Sequence, residues 1–161
     1  MNLNRRTLTA FVMVTLTIAL FSLPLATSAH DDDSNCKKAK GNLSVLNNGN
    51  GTTSGTITQG GRLNGSTQEV FTSGFTPTPD PSTFSYTGNF SITMNKGVLR
   101  SSNVGIFDVG TGLFSEIARI DPTTSTGDFA GATGVLYING KTTDGGATFT
   151  AEITGEYCLA E

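Results

Sequence analysis

Apolar and polar residues alternate with a period of two over long stretches of this chain. In "TFSYTGNFSITM" the even positions are Phe84, Tyr86, Gly88, Phe90, Ile92 and Met94, and the odd positions are Thr, Ser and Asn. In "ATFTAEITGEYCL" the odd positions are Ala147, Phe149, Ala151, Ile153, Gly155, Tyr157 and Leu159. The residues facing away from them are Thr148, Thr150, Glu152, Thr154, Glu156 and Cys158. Side chains of a β-strand point alternately to its two faces, so each segment predicts a strand with one dry and one wet face. Phe84, Tyr86, Phe90, Ile92, Phe149, Ile153 and Tyr157 are the predicted buried set.

Shorter strand candidates are "GTITQG", "STQEVFTSGF", "GVLRSSNVGIFDV", "GLFSEIARI" and "GVLYING". Turn-forming clusters separate them, among them "TPTPDPS", "NKG", "VGTG", "DPTTSTG" and "NGKTTDGG". No stretch after residue 30 has helical periodicity. Short strands at regular spacing predict an all-β sandwich or barrel. Glycines inside strands at 88, 105 and 155 favour a barrel, because glycine relieves the bend of a strongly coiled sheet. Residues 30–55 carry charge runs and Asn-Gly pairs but little apolar content. They read as an extended polar lead-in, which leaves the barrel domain to residues 56–161.

One stretch is more specific. "STGDFAGATGVLYING" resembles the glycine-rich turn-and-strand signature of the allene oxide cyclase and dirigent proteins. The matching frame is Thr126-Gly127, then Phe129, then Gly131-Ala132-Thr133-Gly134 leading into a strand. A final strand reading "GEYC" completes the likeness to exported bacterial members of that group. The resemblance implies a small antiparallel barrel of about eight strands over residues 56–161. Small residues would let the chain turn sharply at the barrel rim, with Gly127, Phe129, Gly131 and Gly134 as the structural motif and Phe129 plugging the end.

The N-terminal residues read as an export signal. "MNLNRR" is basic, "TLTAFVMVTLTIALFSLPLA" is apolar, and Thr27 and Ala29 are the small residues before a cut after Ala29. Residues 1–29 are therefore the expected signal peptide, with no stable membrane insertion once it is removed and a secreted or periplasmic destination. Arg5-Arg6 would suit the twin-arginine route but is equally at home in any signal of this kind. Cys36 and Cys158, the only cysteines, then predict one disulfide in an oxidising compartment. On the chain-entropy view that closure is worth about 4 kcal/mol. Parity puts Cys158 on the wet face of the last strand, so the lead-in is expected to reach it across the barrel wall.

Charge and residue chemistry exclude more than they select. Net charge is −3, and loss of Arg5 and Arg6 makes it −5. Apart from "CKKAK" the basic residues are scattered, so nucleic acid is not an expected partner. His30 is the sole histidine, which removes histidine-based triads, zinc sites and general-base chemistry. No phosphate loop is present, and neither cofactor nor metal is expected. The acidic "DDD" reads as a solvated tail.

Carboxylates remain at Glu69, Asp108, Glu116, Asp121, Asp128, Asp144, Glu152 and Glu156. A pair of them would serve glycoside hydrolysis, but the chain has no Trp as a sugar platform. Within "LFSEIARI" the apolar residues fall on both parities, so Glu116 or Arg119 is expected to face inward as a ligand-binding charge. Three functions compete. The barrel could hold a small hydrophobic molecule. It could be an enzyme guiding cyclisation or coupling in its cavity, as the resemblance implies. A structural module of the cell envelope or surface fits the Thr/Ser/Gly-rich exterior equally well. A hollow interior would separate the first two from the third.

Overall fold

The alternating pattern becomes a continuous antiparallel sheet in a computed structural model, which describes residues 35–161. The ten strands are β1 (Cys36–Asn47), β2 (Thr52–Thr58), β3 (Gly65–Phe71), β4 (Thr76–Pro77), β5 (Thr83–Met94), β6 (Gly97–Asp108), β7 (Leu113–Ile120), β8 (Thr126–Gly127), β9 (Thr133–Lys141) and β10 (Thr148–Cys158). Eight of them close a barrel in the circuit β1–β2–β3–β5–β6–β7–β9–β10 and back to β1. Each strand is hydrogen-bonded to the next one in the circuit, so the barrel is a meander whose first and last strands meet at the seam. Closure leaves the eight strands without a free edge. The short β4 and β8 pair with the ends of β5 and β6.

Inward positions follow the parity read from the sequence. Tyr86, Phe90, Ile92, Ile153 and Tyr157 are buried as expected. Phe84 and Phe149 point inward but are only half-buried, because they stand at an open end rather than in the core. The other end is solid. A 3₁₀ turn, Gly61–Leu63, drops Leu63 into it, and Phe129, from the loop between β8 and β9, packs against Tyr157 at a ring separation of 6.2 Å. The glycine-rich motif makes this plug. Gly127 (φ +64°) and Gly134 (φ +138°) hold backbone angles that L-residues avoid, and a Cβ at either would strike a backbone carbonyl, of Lys96 or Glu156 respectively.

The barrel begins earlier than the sequence suggested. Residues expected as a lead-in supply all of β1 and the start of β2, and β1 is paired along its length with β10. Its inward side carries Ala39, Gly41, Leu43 and Val45, two of them too small to register as apolar periodicity. The expected signal sequence and the acidic run through Ser34 lie outside the described residues. Among the described residues no helix is long and apolar enough to cross a membrane.

Cys36 and Cys158 form the expected disulfide, but by another route. They are direct partners across the β1–β10 ladder, so the bond fastens the seam instead of tying a strap over the wall. Facing residues of neighbouring antiparallel strands point the same way, which places both sulfurs on one face. A disulfide in this position fits an oxidising, exported environment.

Candidate functional site

The unplugged end of the barrel is hollow. A cavity of about 320 Å³ opens there, with Phe71, Phe75, Phe84, Tyr86, Phe90, Phe107, Phe114 and Phe149 around it. Strand parity explains the gathering: Phe71 closes β3, Phe84 opens β5, Phe107 lies near the end of β6, and Phe114 and Phe149 open β7 and β10. Neighbouring rings meet edge to face, Phe71 against Tyr86 at 5.3 Å and Phe114 against Phe149 at 5.5 Å. Leu43, Val45 and Ile138 complete the apolar wall, and Asn47 and Thr53 add neutral polar groups.

The floor of this cavity is polar. Glu69 from β3 and Glu116 from β7 are each 5% exposed, and Asn103 of β6 is 2% exposed between them. Asn103 Nδ2 donates to Glu69 Oε1 at 2.7 Å and to Glu116 Oε2 at 3.0 Å. Tyr86 Oη donates to the other oxygen of Glu116 at 2.7 Å. Two glycines make room for the cluster. A Cβ on Gly105 would collide with the Tyr86 ring, and one on Gly88 would lie 2.6 Å from Glu69 Oε1 and 3.0 Å from Asn103 Oδ1. Both glycines serve this packing.

Burial sets the protonation of the pair. Glu69 is pushed up to about 8, first by loss of hydration and then by the neighbouring Glu116 charge, against the pull of the Asn103 bond. Glu116 is also raised, by burial, with the Tyr86 and Asn103 bonds opposing. Burial and the two carboxylates likewise raise the Tyr86 hydroxyl, which stays protonated. At neutral pH the pair therefore holds at least one proton, and the cluster is a buried acid held at the base of an aromatic well.

Of the two charges singled out in "LFSEIARI", Glu116 is the inward one. Arg119 is exposed, since three residues along a strand reverses the face. Glu69 joins Glu116, but the role of Asn103 was not read from the sequence. Both were legible in principle: Glu69 shares parity with Phe71, and Asn103 with Leu99 and Phe107. A polar residue in phase with an inward apolar set is the signal.

The remaining carboxylates do other work. Asp108, Asp121 and Asp144 staple turns by accepting bonds from nearby threonine hydroxyls and backbone N–H groups, which hold all three below the usual carboxylate range. Asp128 pairs with Arg62 at 3.3 Å and Lys96 at 3.8 Å on the surface. Glu152 and Glu156 face solvent on β10. Glu156 lies near both cysteine sulfurs, but the disulfide removes the thiolates a metal would use. No protein-family model matches the chain, and comparison with curated proteins finds no match.

Proposed function

We propose that this is an exported barrel that binds a small apolar molecule in its hollow end, within the allene oxide cyclase and dirigent group that its glycine-rich motif resembles. The observation that carries the reading is the 320 Å³ cavity with its phenylalanine wall. A purely structural module has no need of such a space, whereas ligand sites are concave, mostly apolar and furnished with a few convergent polar groups. A hydrophobic compound library screened by thermal shift is expected to give hits that raise the melting temperature, since a ligand bound only by the native state stabilises it. Failure of the whole library would favour an envelope or surface module instead.

The cavity floor favours one alternative, an enzyme guiding cyclisation or coupling. Glu69, with its pKa near 8, is a protonated carboxyl at neutral pH and has the form of a general acid. Recovery of bound compounds separates the two readings, because a binder returns its ligand unchanged and an enzyme returns an isomer or coupled product. Export by a signal cut after Ala29 is the companion proposal, and the seam disulfide supports it. Mass spectrometry should find His30 at the mature N-terminus, and an intact Met1 would defeat it.

A further inference from the structure

With both carboxyls ionised, the cavity floor has more acceptors than donors. Three donor hydrogens, two from Asn103 Nδ2 and one from Tyr86 Oη, meet three carboxylate oxygens. Two acceptors are left over. Among the described residues, Asn103 Oδ1 is fully buried with no hydrogen-bond partner, and the second oxygen of Glu69, whose side chain lines the cavity, has no donor. A buried acceptor without a donor is costly, so the floor is one donor short once Glu69 gives up its proton.

What completes it is a donor, and the surroundings say which kind. Among the described residues no Lys, Arg or His lines the cavity, so no protein cation offsets the negative charge of its floor. The walls are aromatic rings, whose faces attract a cation through the ring quadrupole. We propose that the cavity takes an apolar molecule bearing one protonated amine, its body against the phenylalanine wall and its N–H groups on the Glu69–Glu116 floor.

The proposal rests on the binding reading above and narrows it to a ligand class. It also carries a proton signature. Glu69 faces Glu116 from β7, Tyr86 from β5 and the neutral Asn103 from β6; Leu43, Val45 and Thr53 of β1 and β2 and Phe149 of β10 do not titrate. An ammonium favours the ionised form of Glu69, so binding at pH 7 drives its proton off. Amine affinity therefore rises with pH and levels off above about 8, where Glu69 is already ionised in the free protein.

Titration calorimetry of the intact protein with 2-phenylethylamine, 2-phenylethanol and 3-phenylpropionate tests this on one aromatic scaffold with three head groups. The amine is expected to bind at least about tenfold tighter than the alcohol, the size of one charge-assisted hydrogen bond. The carboxylate is expected not to bind. Runs in buffers of different ionisation enthalpy should show close to one proton released per amine at pH 7. Glu116→Gln and Glu69→Gln keep the shape of the floor and should abolish the amine preference while sparing the alcohol. The wild-type ranking and proton count need no variant, so a misfolded substitution does not spoil the test. An alcohol that binds as tightly as the amine, or an amine that releases no proton, overturns the proposal and leaves the apolar binding site standing. If none of the three binds and the hydrophobic library also fails, the binding function itself falls.

Discussion

Gly105 has a hydrogen where a methyl group would collide with the Tyr86 ring, and that ring holds Glu116 by its hydroxyl. Gly105→Ala is therefore expected to lower stability by about 1–3 kcal/mol as an overpacked site, measured by denaturant midpoint, and to weaken amine binding with it. The carboxyls give a second residue-scale test. Glu69 prefers its proton in the folded state, so the native protein binds more protons than the unfolded chain between the ordinary carboxylate range and about pH 8. Stability falls with rising pH across that window and levels off above it. Glu69→Gln is expected to flatten the decline in chemical denaturation at pH 5 and pH 8, and an unchanged slope would show that Glu69 is not the titrating group. Parity puts Glu116 and Arg119 on opposite faces but could not say which is inward, because Ile117, between them, is an exposed apolar residue that blurs the alternation of β7.

Among elements, β1 shows what periodicity misses. Ala39 and Gly41 fill inward positions of a tight barrel, where bulk would not fit: a Cβ on Gly41 would lie 2.9 Å from Ile57. The long β5 and β10 were plain because their inward faces are large and their outward faces polar. Strands β6, β7 and β9 break that rule outside, where Val104, Ile117 and Tyr137 stand in paired register on an exposed face. Turns are held by side chains the sequence shows only as polar clusters. Asp144 binds the N–H groups of Ala147 and Thr148 between β9 and β10. Its depressed pKa stabilises that turn above the ordinary Asp range, and the contribution is lost only as strong acid protonates it. Asp144→Ala should speed hydrogen exchange at Ala147 and Thr148 without unfolding the barrel. At the seam, replacing Cys36 and Cys158 with Ser should cost about 3–5 kcal/mol in denaturant unfolding.

As a whole the molecule divides its interior in two, a solid end that stabilises and a hollow end walled by phenylalanine. The all-β barrel was legible from strand parity, spacing and in-strand glycine. The hollow was not, since inward phenylalanines look the same whether they fill a core or stand around a space. Gly140, whose missing side chain admits the Phe114 ring, and Gly145 and Gly146 at the rim decide that here, and their effect depends on what lies opposite them in space. Phe149→Ala tests the division. At a half-buried wall position it should cost less than the about 3–5 kcal/mol of a core aromatic, while Ile153→Ala in the solid end should cost about 2–5 kcal/mol.

The chain enters and leaves this barrel at one point, where Leu159 N–H donates to Asn35 O at 3.0 Å beside the fastened seam. Tension applied through the two ends is therefore carried by a covalent link and never reaches the strands. Once the link is reduced, the same pull separates β1 from β10 one rung at a time from that end, the weakest way to load a ladder. It then frees a segment of 122 residues, which stretches to roughly 400 Å. In an optical trap the oxidised molecule should show no unfolding step from the barrel, and the reduced one a single long extension at low force. Anchored at both ends, this protein would convert the redox state of its surroundings into length.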